Sequence, residues 1–146
     1  MSNLPSVDVA AILENAGVGT QGSGTGWRIF IGNEPDEDQA NNIPDTIITI
    51  YDTPGDAPNP KFLLDYPRFQ VRVRAHDYLA GATKLEECKS ALAGLPSQTI
   101  SGTIYEGIWP VTDTGFIRKD EKGRSIFTST WRMIREPDAG THRVPL

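Results

Sequence analysis

The sequence predicts an α+β fold: a mixed, mainly antiparallel β-sheet packed by one or two helices, in the order α-β-β-β-α-β-β(-β). Three observations predict it. "LPSVDVAAILENAG" and "YLAGATKLEECKSALAG" repeat apolar residues at helical spacing. "TIITIYDT" and "RFQVRVRA" are β-branched or strictly alternating, as strands are. The last third is again β-rich and is broken by "DEKG", a turn signal. A chain of 146 residues is the size of one domain. It buries about 68–70% of its unfolded surface, so it needs neither disulfides nor a metal to fold. We therefore expect one domain over 1–146, with residues 136–146 as a loose tail.

In the first helix Ser6 is the expected N-cap and Asp8 favours the first turn. Val9, Ile12, Leu13 and Ala16 form its apolar face, and Gly17 stops it. The flexible connector "GVGTQGSGTG" leads to the strand "WRIFIG", with Trp27, Ile29 and Ile31 on one side and Arg28 and Phe30 on the other. "NEPDEDQANNIPD" reads as a solvated acidic loop. "TIITIYDT" is nearly continuous in apolar residues, which suits a strand buried on both faces. "PGDAPNPK" carries three prolines, so it cannot be a central strand and reads as an extended arm. In the next strand Arg68, Gln70, Arg72 and Arg74 alternate with Phe69, Val71, Val73 and Ala75. Asp77 caps the second helix, whose stripe is Tyr78, Ala82, Leu85, Cys88 or Lys89, and Leu92; Gly81 weakens it slightly and Gly94 with Pro96 ends it. "TISGTIYEGIWPVTDTGFIRK" holds one or two strands. "RSIFTSTWRMIRE" is a long one, with Phe127, Trp131 and Met133 on one side and Ile126 and Ile134 on the other.

Composition narrows the function. The formal net charge is −5, whereas non-specific nucleic-acid binders carry basic surfaces. The charge is uneven. Residues 1–60 hold nine acids and one base, a net −8, and residues 61–146 hold thirteen bases and ten acids, a net +3. Copies of such a chain attract head to tail if those halves face one another, and head-to-tail contacts build rings when the rotation closes. The lone cysteine, Cys88, excludes an internal disulfide and fits a reducing compartment. No apolar run approaches the length of a membrane span, about 18 residues, and the N-terminus lacks the pattern of a signal peptide.

The catalytic motifs fail on context. Gly17 to Gly22 matches G-x-G-x-x-G, but a helix precedes it and a strand follows, the reverse of a dinucleotide site. A phosphate loop fails because Ser23 stands where the lysine belongs. The acids Glu34, Asp36, Glu37 and Asp38 lack the spacing of a calcium loop, since Ala40 and Asn41 occupy its fifth and sixth positions. His76, Asp77 and Cys88 suggest a thiol–imidazole pair, but eleven residues of helix put Cys88 on the order of 16 Å from Asp77. Two histidines and one cysteine give no zinc site within one chain. No cofactor is expected.

The arginine strand remains. Arg72 and Arg74 lie about 6.8 Å apart along one strand face. Single-strand binders place aromatics on the same face as the charge, and here Phe69 falls on the opposite one. A protein partner fits better, because arginine is enriched at interfaces and lysine depleted. Local acids would serve equally.

Several segments then fall into a familiar order. "GVGT", "WRIFIGNEP", "TIITIYDTPG", "DYPRFQVRVRAHDYLAGATK" and "GRSIFTSTWRMIRE", with "DEKGR" before the last strand, together resemble the tail terminators of tailed phages, also labelled minor capsid proteins. The resemblance spans about residues 14–136, and "YPRFQVRVRAHDY" is its most specific piece. It implies a small α+β fold working as a hexameric ring. Such a ring sits on the last ring of tail-tube subunits, stops polymerisation and offers a surface to the head–tail connector and neck proteins. DNA passes through its hole without specific binding. It implies a virion component of the tail or neck, assembled in the host cytoplasm, with no catalysis and no membrane. Another neck protein, such as a head-completion or stopper ring, is the nearest alternative; a nucleic-acid-binding module is the next. Arg68, Arg72 and Arg74, with Asp120, Lys122 and Arg124 of the turn, are the candidate subunit or tail-tube interface.

Overall fold

The computed structural model describes residues 3–22, 26–58, 61, 63–113 and 115–137. Two positions of the proline-rich stretch and most of the C-terminal tail lie outside these. The elements are α1 (Pro5–Asn15), β1 (Arg28–Ile31), β2 (Ile47–Asp56), β3 (Tyr66–Ala75), α2 (Tyr78–Leu92), β4 (Gln98–Ile100), β5 (Thr103–Pro110), β6 (Gly115–Lys119) and β7 (Ser125–Arg135). The sheet runs β1-β2-β3-β7-β5-β4, and β6 also pairs with β7. β5 takes the Trp131–Arg135 half of β7 and β6 the Ser125–Thr128 half. β1 and β2 are parallel and every other pair is antiparallel, so the sheet is mixed and mainly antiparallel as expected.

The expected one or two strands between the second helix and the turn are three. Ser101 and Gly102 both have positive φ, 50° and 83°. That is the backbone of a tight hairpin turn, so "TISGTIYEG" folds back on itself as β4 and β5. The proline-rich stretch is also partly strand, because Pro54, Gly55 and Asp56 extend β2. β1 stops at the Ile31–Ile50 pair, so β2 is an edge beyond that point and tolerates a residue without an N–H. A Cβ on Gly55 would lie 2.1 Å from the Tyr66 carbonyl oxygen, so only glycine lets β2 approach β3 there.

Both helices lie on one face of the sheet. Val9 and Leu13 of α1 and Leu85, Cys88 and Leu92 of α2 pack on Ile48, Ile50, Val71, Val73, Phe127 and Met133. Burying each large apolar side chain is worth about 1.5–3 kcal/mol. Phe69 and Trp131, directly paired across β3 and β7, stack with centroids 6.3 Å apart. Burial pushes the Cys88 thiol up to about 12, which makes it an inert core residue. Tyr78 is not part of the buried stripe. It is half exposed and leans on Phe116 and Phe127, and Gly81 takes its place against the sheet.

The start of α1 departs from expectation. The helix begins at Pro5, and its Leu4 cap makes no side-chain hydrogen bond. Asp52 of β2 does that work from a distance, accepting the Ser6 backbone N–H at 2.9 Å and the Ser6 hydroxyl at 2.6 Å. A carboxylate there also complements the helix dipole. Asp8 is fully buried, where it accepts the Tyr105 hydroxyl. Desolvation and this bond to Asp8 raise the Tyr105 pKa.

Candidate functional site

The other face of the sheet carries no helix. Antiparallel partners share a face, so the ladders place Tyr51, Arg68, Gln70, Arg72, Arg74, Thr130, Arg132 and Trp109 on it. The loop between β1 and β2 covers one end. There Arg74, 2% exposed, donates to three loop carbonyls: Pro35 at 2.7 Å, Asp45 at 2.9 Å and Pro44 at 3.2 Å. Glu34 lies 3.7 Å from Arg74 and 2.7 Å from Arg72. The Arg72 contact is a charge contact rather than a directed hydrogen bond, since neither atom has hydrogen-bond geometry. Ile47 and Ile126 are buried on this face too, apart from the main core.

The turn between β6 and β7 joins the same cluster. Arg124 donates to Asp120 at 2.7 Å, Asp36 at 2.8 Å and Asp45 at 3.1 Å. Lys122 donates to Asp36 at 2.7 Å. Five of the six predicted residues therefore meet around one loop: Arg72, Arg74, Asp120, Lys122 and Arg124. The acidic loop is not simply solvated, because Glu34, Asp36 and Asp45 bind the arginines of β3 and of the turn. Inside it, Asp38 accepts from Ala40 and Asn41 and shapes a turn.

Arg68 stands apart. It faces Arg132 directly across β3 and β7, a like-charge pair that is unfavourable alone. Asp56, from the proline-bearing end of β2, offsets it at 3.8 Å from Arg68 and 3.3 Å from Arg132. The Arg132 guanidinium also lies over the Trp109 ring, 5.1 Å from its centroid. Trp109 and Tyr51 correct the expectation that this face lacks aromatics. Their side of the sheet follows only from the pairing registers, which the sequence does not display.

The charges make the loop clasp sensitive to acid. The Lys122 and Arg124 hydrogen bonds, with the Glu37 backbone N–H, hold the Asp36 carboxyl well below its usual range. Partial burial pushes Asp120 up, but the Arg124 and Lys122 backbone N–H groups and the Arg124 guanidinium outweigh it and hold Asp120 low. Groups with depressed pKa values stabilise the fold above the ordinary carboxylate pKa, about 4, and lose that stabilisation as pH falls through their folded values. We predict that the melting temperature drops on acidification below about pH 4 and that Arg124→Met flattens that drop while lowering the midpoint at pH 7. A pH series of thermal melts checks this; parallel wild-type and variant profiles would refute it.

The family described as bacteriophage tail terminator protein matches residues 12–137. The chain belongs to the bacteriophage tail terminator family. It is a structural virion protein of that family, and the arginine strand and acidic loop lie within the matched region. A solved structure shares the tail-terminator chain's fold: a chain of the virion of a native gene transfer agent particle, with TM-score 0.56 and 15% identity, covering 88% of this chain and 84% of that one. A comparison with curated proteins finds no match. Among the described residues no group of His, Cys, Asp and Glu is arranged to hold a metal ion, and no helix is long and apolar enough to cross a membrane.

Proposed function

We propose that this chain is the terminator of a tail-like tube. Copies form a ring, a homo-hexamer, that caps the last ring of tube subunits, ends polymerisation and presents its other surface to head–tail connector and neck proteins. DNA passes through the hole without specific binding. The reading treats residues 1–146 as one domain, assembled in the host cytoplasm into the tail or neck of the particle, and requires no cofactor, membrane or catalytic step. The family match over residues 12–137 carries it.

The helix-free face supports a protein partner. Tryptophan, tyrosine and arginine are the residues that dominate interface energetics, and Trp109, Tyr51, Arg68 and Arg132 share that face. Of the candidate interface residues, Arg68, Arg72 and Lys122 keep solvent-facing surface, while Arg74 and Arg124 act through the loop they hold. Adding the purified protein to polymerising tube protein tests the reading: tube growth stops and lengths shorten. Unchanged growth and length would count against a terminator and leave a head-completion or stopper ring as the alternative.

The Trp109–Arg132 pair is also the one observation that favours nucleic-acid binding. That reading requires DNA affinity that falls steeply with salt. No binding of labelled DNA at low salt removes it.

A further inference from the structure

The helix-free face of the sheet is basic, and an acidic loop lies over part of it. The parallel ladder adds Arg28 and Phe30 of β1 to that face, opposite Ile47 and Thr49. Its strands then carry five arginines: Arg28, Arg68, Arg72, Arg74 and Arg132. The paired residues of β1, β2, β3 and β7 bring one acid to it, Asp56 at the far end of β2. Residues 33–46, between β1 and β2, hold five acids and no base.

That loop is held by charge and hydrogen bonds rather than by burial. None of residues 33–46 is buried. The backbone bonds between Asp38 and Ile43, 2.9 and 2.7 Å, are internal to it. The side chains that tie it to the sheet are cations from three elements. Arg28 of β1 donates to the Asn42 carbonyl at 3.0 Å. Arg72 and Arg74 of β3 meet Glu34, and Arg74 takes three loop carbonyls. Lys122 and Arg124 of the β6–β7 turn take Asp36, and Arg124 also takes Asp45 and its own turn's Asp120. An element with few buried apolar contacts opens more readily than the sheet beneath it.

Beneath and beside the loop, the face has the make-up of a single-strand binding surface. Such surfaces combine a basic track with aromatic rings on which bases stack. Phe30, Tyr51 and Trp109 share this face with the arginines. The Arg28 guanidinium lies over the Phe30 ring, 4.8 Å from its centroid, as Arg132 lies over Trp109. Arg68, Arg132 and Trp109 stay beyond the loop, so the uncovered part is a fragment of the whole, with Asp56 against its two arginines.

We propose that the β1–β2 loop is an acidic strap on a nucleic-acid-binding face. The carboxylates of Glu34, Asp36 and Asp45 occupy, within the chain, the places that the phosphates of a single strand would take beside Arg72, Lys122 and Arg124. With the strap closed, DNA does not bind; with its carboxylates gone, it does. This is a property of one chain and stands whether or not copies form a ring. Under the terminator reading it supplies the reason a basic face lets DNA pass without sticking.

Fluorescence anisotropy of labelled oligo-dT at low salt tests this on the full chain, with circular dichroism confirming that each variant is folded. Wild type does not bind. The strap variant, Glu34→Gln with Asp36→Asn and Asp45→Asn, binds, and its affinity falls steeply from about 50 to 200 mM salt. Glu14→Gln with Glu86→Gln and Asp113→Asn removes the same charge beside the helices and is the control; the strap variant binds roughly tenfold or more tightly than it. Adding Trp109→Ala and Arg132→Gln to the strap variant abolishes the binding. The proposal is overturned by a folded strap variant that binds no better than the control, or by wild type that binds as tightly as the strap variant. Binding of poly-glutamate but not oligo-dT by the strap variant would give the face to an acidic protein segment and overturn the nucleic-acid assignment. If the triple variant does not fold, Asp36→Asn alone, at an exposed position, decides. Weaker, salt-sensitive binding by it supports the strap, and none overturns it.

Discussion

Arg74→Glu is predicted to leave little folded protein. The guanidinium is buried and holds three loop carbonyls at 2.7–3.2 Å. Burial lowers its pKa, and the repulsion of Arg124 adds to that, while Glu34, Asp36 and Asp45 act in the opposite sense. The carboxylate of the variant would face those three carbonyl oxygens and Glu34 with no donor. Removing one partner of a buried charged set costs about 3–5 kcal/mol, and reversing its sign costs more, against a total stability of about 5–15 kcal/mol. Arg72→Glu should be milder. Arg72 is 28% exposed and loses one charge contact, with Glu34, itself 16% exposed, so the cost lies between the roughly 1 kcal/mol of an exposed pair and the roughly 3–5 kcal/mol of a buried one. Urea unfolding of both variants checks the difference. An Arg74→Glu protein with a wild-type midpoint would mean the loop is not held this way. It follows that reversing both arginines at once cannot separate interface from fold, whereas Arg72→Glu with Arg68→Glu can.

Gly81→Val is the second large effect. A Cβ at Gly81 would lie 2.3 Å from Phe127 Cε2, 2.8 Å from its Cδ2 and 3.1 Å from the Ala75 Cβ. Phe127 is itself buried between Tyr78 and Phe116, with centroids 5.3 and 5.5 Å away, so its ring has little room to retreat. Overpacking of this kind costs about 1–3 kcal/mol, occasionally more. Helix propensity points the other way, since glycine is about 1 kcal/mol worse than alanine within a helix. We predict that packing wins: Gly81→Ala lowers the melting temperature despite its better propensity, and Gly81→Val lowers it further. A rise in melting temperature for Gly81→Ala would show that α2 can lift off β7 without loss.

Much of this fold was legible in the sequence because periodicity reports which side of an element is buried. The alternation in β3 put Phe69, Val71 and Val73 on the core side, where all three are buried. The four consecutive residues Ile47 to Ile50 read as doubly buried, and all four are. Asp77 caps α2 as expected, accepting the Ala80 N–H at 2.8 Å. Contacts distant in sequence were not legible. Nothing local says that Asp52 caps a helix 46 residues earlier, or that Asp36 meets Arg124. The close approach at Gly81 was equally hidden, because propensity sees only a weak helix residue there. The arginine face was visible as a strip of charge, but its partners come from loops and strands whose register is a tertiary property. Its two halves consequently separate: Arg72 and Arg74 bind their own chain's acidic loop, and Arg68 with Arg132 and Trp109 stays beyond that loop.

We propose that this chain ends a tube by capping it as a ring. Electron cryomicroscopy of tubes assembled with the chain present addresses that most directly. We predict an extra ring of density, one chain per tube subunit around the circumference, at one end of tubes that no longer elongate. Bare ends on such tubes, or the chain bound along their walls with elongation continuing, would contradict it.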